Sequence, residues 1–114
     1  MGASIYKPTD HGNGPVHQYA TVPAGEHYRL VSVTVTFTVA PTTSENLTIT
    51  LDANAGARWD SILYTVDPGG AAADSIVWMP DEELFLEGGD AVQVDYTNTD
   101  VRDWGIQWTF KKVP

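Results

Sequence analysis

Apolar and polar residues alternate strictly along four segments of the chain. The clearest runs from Val31 to Val39, where valine and phenylalanine at odd positions alternate with serine and threonine at even positions. A period of two residues is that of a β-strand with one face buried and the other in water. The same alternation predicts further strands over residues 47–51, 92–96 and 104–110.

The alternation changes parity just before this segment, where Tyr28 and Leu30 carry the apolar positions. A β-bulge or a bend near residues 29–31 accounts for the change, because one extra residue moves every following side chain to the other face. Residues 59–66 also fit a helical period, but their β-branched residues and the Asp-Pro-Gly-Gly turn that follows favour a strand. Less regular patterns thus predict four more strands, at residues 16–22, 59–66, 74–80 and 84–86.

About eight strands separated by turns predict an all-β domain, built as a two-sheet antiparallel β-sandwich. An eight-stranded jelly roll is the predicted topology, and an immunoglobulin-like sandwich is the alternative. Residues 1–15 are rich in glycine and proline, and only Ile5 and Tyr6 among them are clearly apolar. We therefore interpret residues 1–15 as an arm that precedes a sandwich domain of residues 16–114.

The amino-acid composition excludes some classes of function and disfavours others. The 114 residues include no cysteine, which excludes disulfides, zinc–thiolate sites and a cysteine nucleophile. Fifteen acidic residues stand against six basic ones, a net charge of −9 that opposes binding to nucleic acid and to anionic membranes. No apolar run has the length of a membrane span or the character of a signal peptide, so we expect a protein that is used without export.

Acidic residues concentrate in residues 84–100, where Glu87, Asp90, Asp95 and Asp100 raise the question of a catalytic site. Asp95 has the parity opposite to the apolar residues of its strand, so we expect it to face water. Asp90 and Asp100 lie in turns, where aspartate commonly accepts hydrogen bonds from backbone amides. Because catalytic acids need a buried or strongly perturbed environment, we expect no catalytic residue here and no enzyme.

One loop offers weak alternatives. Asp52, Asn54 and Asp60 supply oxygens around Gly56, which makes them weak calcium candidates, although the spacing departs from an EF-hand loop. Trp59 is the one tryptophan beside a polar loop, and its ring is a candidate for stacking on a sugar. A carbohydrate- or calcium-dependent binding module is therefore the alternative function.

The segment from Leu84 to Val94 resembles the L-x-L-x-x-G-D-x-V-x-V hairpin of trimeric jelly rolls such as the C1q and tumour-necrosis-factor-like domains, with one glycine inserted. More broadly, residues 20–112 resemble small all-β virion proteins of tailed bacteriophages, which decorate the head or attach to the tail and neck. This resemblance implies a structural virion protein, with capsid decoration as the first choice and a tail or neck component as the second. It carries over no site residues.

The resemblance also implies assembly in the host cytoplasm and contacts with other virion proteins or with further copies of the chain. We expect a homo-oligomer that needs no cofactor and binds neither nucleic acid nor membrane. Ile5, Tyr6 and Tyr19 are the candidate interface residues, because an apolar-tipped arm can reach a neighbouring subunit.

Overall fold

The computed structural model describes residues 5–6, 8–82 and 84–113, and for residues 5 and 6 it describes the backbone alone. Most of the regular structure is strand, apart from a 3-10 turn at Ala57–Trp59 and one short helix, α1, at Pro68–Ala71. No helix within these ranges is long and apolar enough to cross a membrane. The strands are β1 (Ile5–Tyr6), β2 (Thr9–Gly12), β3 (Val16–Thr21), β4 (His27–Phe37), β5 (Leu47–Asp52), β6 (Ser61–Val66), β7 (Ser75–Trp78), β8 (Leu84–Glu87), β9 (Ala91–Tyr96) and β10 (Trp104–Val113).

The strand order is that of a jelly roll. In the first sheet β1 and β2 pair with successive parts of β10, β10 pairs with β4, and β7 and β8 pair with successive parts of β4. The second sheet has the order β3-β9-β5-β6, and every pairing is antiparallel. Each sheet is thus four strands wide, with both edge strands of the first sheet broken in two. Two such sheets, crossed alternately by the chain, confirm the predicted β-sandwich and its jelly-roll topology.

The bulge predicted near residues 29–31 is confirmed. Along the β4–β10 ladder Ser32 pairs with Thr109 and Leu30 pairs with Phe110, so that Val31 has no partner of its own. Leu30 is buried before this point and Val33 is buried after it, which explains the change of parity in the sequence.

The core lies between the sheets and is built from the alternating apolar positions. Trp108, Phe110 and Val33 of the first sheet are buried, as are Ile49 and Val94 of the second. The fully buried side chains are therefore those that the period of two places on one face of each strand. Trp104 is buried as well, whereas Trp78 is only partly buried at the edge of the core.

Part of the predicted arm belongs to the first sheet. Within residues 1–15, β1 and β2 pair with β10, and the backbone oxygen of Pro8 accepts a hydrogen bond from the amide of Trp108. The ring of Trp104 packs against Gly12, and its Nε1 donates to the backbone oxygen of Gly14 at 2.9 Å. This segment therefore completes the sheet and covers a core tryptophan.

The acidic stretch at residues 84–100 crosses between the sheets. β8 pairs with β4 and β9 pairs with β3 and β5, so the predicted hairpin between residues 84 and 94 is wrong: its two strands lie in different sheets. Gly89 takes a positive φ of 91°, and a Cβ on Gly88 would lie 2.8 Å from the backbone oxygen of Pro23. The two glycines thus permit a tight crossover that packs against the preceding turn.

Candidate functional site

One side of the sandwich exposes large apolar residues. We name it the apolar side and define it by Ile62 on β6, Val77 on β7, Met79 just after β7 and Phe85 on β8. Each of these residues is between 61% and 67% exposed. Large apolar side chains exposed on edge strands are candidates for contact with other proteins. The apolar side is therefore the candidate interface.

The apolar side lies where both sheets end. β6 pairs only with β5, and β7 and β8 pair only with β4, so their outward backbone groups meet no other described strand. Edge strands with free backbone groups can pair with a strand of another chain. Native proteins commonly protect such edges with charge or proline, whereas here the outward side chains of Val77 and Phe85 are apolar.

A stacked pair of rings joins the two edges. Tyr64 on β6 and Trp78 on β7 lie 5.7 Å apart between ring centroids, with their planes 18° apart. Beside them lies an open groove of about 570 Å³, and besides the two rings it is lined by Leu63, Met79, Pro80, Asp81, Glu82 and Leu84. The apolar side therefore combines a rigid aromatic base with a recess into which a side chain of a partner can insert.

The sequence carried a signal for this surface that period-two reasoning passes over. Val77 stands between Ile76 and Trp78, and Phe85 stands between Leu84 and Leu86, so both strands are apolar at adjacent positions. A strand that is apolar on both faces is covered on both. The outward residues of β7 and β8 have no cover among the described residues, and this makes them interface candidates.

The structure places the predicted interface residues elsewhere. The backbones of Ile5 and Tyr6 pair with Lys111 and Phe110 of the same chain, and their side chains lie outside the described residues. Tyr19 is 49% exposed on β3, at the opposite edge of the second sheet from β6. The structure does not bring these three residues together with the apolar side.

The 52–60 loop uses its polar groups internally. Asp60 accepts a hydrogen bond from the amide of Ala53 at 2.8 Å, and the amide of Asn54 donates to Asp90 at 2.9 Å. The part of the chain that the structure describes holds no group of three or more His, Asp or Glu side chains placed to bind a metal ion. Asp52 therefore has no second and third ligand of these types beside it in that part of the chain. Trp59 is exposed, with the guanidinium of Arg58 5.1 Å from its ring centroid.

The acids of residues 84–100 have structural partners. Asp90 accepts from the amides of Glu87 and Asn54 and thereby closes the crossover turn. Asp95 lies on the outer face, as predicted, where it pairs with His17 Nδ1 at 2.5 Å and accepts from Gln93 at 2.7 Å. This pairing joins neighbouring strands β3 and β9 on a solvated face. It does not form part of a cleft.

A carboxylate network fastens the 41–46 loop. Asp100 accepts hydrogen bonds from the amides of Thr42 and Thr43, both at 2.8 Å, and from the hydroxyl of Thr43 at 2.6 Å. The Thr43 hydroxyl, the Thr43 amide and the Thr42 amide, in that order, lower the pKa of Asp100 to about 2. Burial first, and then the charges of Glu45 and Asp100, raise the pKa of Tyr96 to about 12, so its hydroxyl keeps its proton.

Asp100→Asn is expected to lower the melting temperature at neutral pH by a few degrees and to reduce acid sensitivity. Because the folded pKa of Asp100 lies below its unfolded value, the carboxylate stabilises the fold above about pH 4, and this stabilisation is lost as the pH falls towards about 2. Thermal melts at neutral pH, and at steps from about pH 4 down to about pH 2, measure the effect. Asp74→Asn is the matched control, because that exposed side chain has no hydrogen-bond partner among the described residues. Equal behaviour of the two variants would contradict the prediction.

No known protein family matches the chain. No curated protein matches it either. The crystal structure of the Agl-KA catalytic domain superposes with a TM-score of 0.46 and 15% sequence identity, over 100% of this chain and 28% of that chain. The chain thus spans less than a third of the length of that structure.

Proposed function

We propose that this protein is a non-enzymatic structural module of a tailed-phage virion that works through protein–protein contacts. Capsid decoration is the first choice, and a tail or neck position is the second. The observation that carries the proposal is the apolar side, where exposed apolar residues surround unpaired edge strands. The jelly roll is compatible with it, since viral capsid domains use this architecture, as lectins and cupins also do.

The described acids support a role without catalysis. Asp90, Asp95 and Asp100 are engaged in turns, in a cross-strand pair and in the fastening of a loop. The charge of −9 keeps the remaining surface soluble and disfavours adhesion to DNA. Association is then left to the apolar side, where burial of apolar area supplies the free energy of binding.

The double variant Val77→Ser/Phe85→Ser tests this role. We expect the unaltered protein to be an oligomer in solution, with a mass of at least twice the chain mass. Loss of two buried apolar side chains, at about 1.5–3 kcal/mol each, is expected to raise the dissociation constant at least tenfold. Light scattering over a concentration series measures this change.

Val39→Ser is the matched control, because Val39 is 57% exposed and lies outside β6, β7 and β8. A protein that stays monomeric at every concentration, with or without the double substitution, would overturn self-association through the apolar side. Immunoelectron microscopy, with antibodies to this protein and phage particles from a culture that produces it, tests whether the protein is part of a virion. Label on heads supports decoration and label on tails supports the second choice, whereas unlabelled particles contradict both.

A further inference from the structure

A groove opens on the outer face of the first sheet where β10 lacks a side chain. Gly105 is the second residue of β10 and pairs with His11 on β2 and with Thr36 on β4. Its neighbours Trp104 and Ile106 are buried, so position 105 faces outward. A Cβ placed there would meet only Thr36 Oγ1 at 3.4 Å and a backbone oxygen at 3.9 Å. The glycine therefore leaves a gap between two flanking strands that carry side chains.

This gap is the floor of a cavity of about 560 Å³. The volume lies within the range of about 300–1,000 Å³ that small-molecule sites occupy. A glycine inside a strand commonly marks a place where a ligand approaches the backbone closely. The aromatic residues Phe37 and Trp104 contribute to the lining, and the polar side chains around the floor are those of His11, Asn13, Thr36, Thr38 and Asp103.

The rim carries hydrogen-bonding groups that the fold does not use. Among the described residues, the side chains of His11, Thr36 and Asp103 make no hydrogen bond or ion pair. The carboxylate of Asp103 accepts, the hydroxyl of Thr36 donates and accepts, and the imidazole of His11 does either according to its tautomer. Gly12 and Gly105 also line the groove, and because they have no side chains they expose their backbone to it. The rim therefore offers both donors and acceptors.

We propose that this groove binds a neutral sugar unit of a glycan. Each sugar hydroxyl both donates and accepts, which matches a rim of mixed polarity, and the carbon face of the ring matches the floor of the groove. Among the described residues the rim has no Lys or Arg, and it includes a carboxylate. The chain also has a net charge of −9, so phosphate and other anions are disfavoured. The groove is open, so further sugar units can extend into solvent.

The groove is independent of the proposed assembly role. It lies over β2, β10 and β4, whereas the apolar side is formed by β6, β7 and β8. It also differs from the sugar-stacking site that the sequence suggested, because Trp59 is not among its lining residues. A loss of sugar binding and a loss of assembly are thus separable results.

Titration of the isotope-labelled protein with neutral oligosaccharides of glucose, galactose, mannose and N-acetylglucosamine tests the proposal by NMR. We expect at least one of them to shift the amide signals of His11, Thr36 and Gly105 at millimolar concentration. Gly105→Val fills the floor with a residue that suits a strand, and Asp103→Asn removes the charge at almost constant size. Each is expected to weaken binding by on the order of tenfold.

Trp59→Ala is the control for the other candidate sugar site and is expected to bind as the unaltered protein does. Binding that Trp59→Ala abolishes and Gly105→Val leaves intact would place the sugar at the 52–60 loop and overturn the proposal. Signal shifts at the groove with methylammonium but with no oligosaccharide would overturn it too, because the groove would then be a cation site. Absence of shifts with the whole panel has the same consequence. Folding of each variant is checked by its amide spectrum.

Discussion

Trp108→Ala is expected to lower the free energy of unfolding by about 3–5 kcal/mol. Trp108 is 0% exposed and lies in the middle of β10. This strand pairs with β1 and β2 on one side and with β4 on the other. Removing its indole deletes a large apolar surface from the core and leaves a cavity that close-packed neighbours fill only in part. A domain with a total stability of about 5–15 kcal/mol would lose a large share of it.

Urea denaturation followed by circular dichroism measures this loss, and Trp59→Ala is the matched control. Trp59 is 59% exposed, so its removal is expected to change stability by about 0.5 kcal/mol or less. The indole nitrogen of Trp108 has no hydrogen-bond partner among the residues that the structure describes. Trp108→Phe removes that unpaired group and leaves a smaller cavity, and it is therefore expected to be the milder change. A loss below about 1 kcal/mol for Trp108→Ala would contradict its place in the core.

Gly69→Ala is expected to destabilise the protein by about 3 kcal/mol or more, although it adds a single methyl group. A Cβ on Gly69 would lie 1.9 Å from the backbone oxygen of Thr43 and 2.5 Å from its carbonyl carbon. Backbone on one side and helix α1 on the other leave little room to relax. The 41–46 loop must move, and its hydrogen bonds to Asp67 and Asp100 are then disturbed.

Gly14→Ala is the control for Gly69→Ala, because a Cβ at position 14 meets nothing within 4 Å. Its backbone oxygen keeps the hydrogen bond from Trp104 Nε1. The two alanine variants are compared by thermal melting and by urea denaturation. If Gly69→Ala proves as stable as Gly14→Ala, the close contact between α1 and the 41–46 loop is absent in solution.

The two surfaces suggest a division of labour within one small domain. We propose the apolar side for contacts with other protein chains and the groove around Gly105 for contact with a sugar. Most of the apolar side lies on strands, and the groove residues outside strands, Asn13, Thr38 and Asp103, directly adjoin strand ends. The sheets therefore position both surfaces. A jelly roll carries many functions, and here the case for each proposal comes from particular residues and not from the fold.

Much of the fold was predictable because alternation reports which face of a strand is buried. The parity change at Val31, the burial of Trp104 and Trp108, and the strand at 61–66 all follow from local pattern and are all present. Strand β2 was not predictable in this way. Residues 9–12 are exposed throughout and pair at a sheet edge, so they carry no apolar alternation.

The candidate sites were less predictable for a related reason. Exposed apolar residues such as Val77 and Phe85 look like core when only their type is considered, because the sequence does not show which sheet face remains uncovered. The groove around Gly105 depends on His11, which is distant in sequence and reaches β10 only through the pairing of β2. The alternation of apolar and polar residues within one strand does not show which strand pairs with it.

The sequence by itself determined strands β3 to β10, their buried faces, the bulge and the absence of cysteine chemistry, because these depend on neighbours along the chain. Tertiary structure alone decided the pairing of residues 9–12, the passage of residues 84–96 from one sheet to the other, and the partners of Asp95 and Asp100. It also decided where the groove and the apolar side lie. Each of these depends on contacts between segments far apart in sequence, which form only when the two sheets close over a common core.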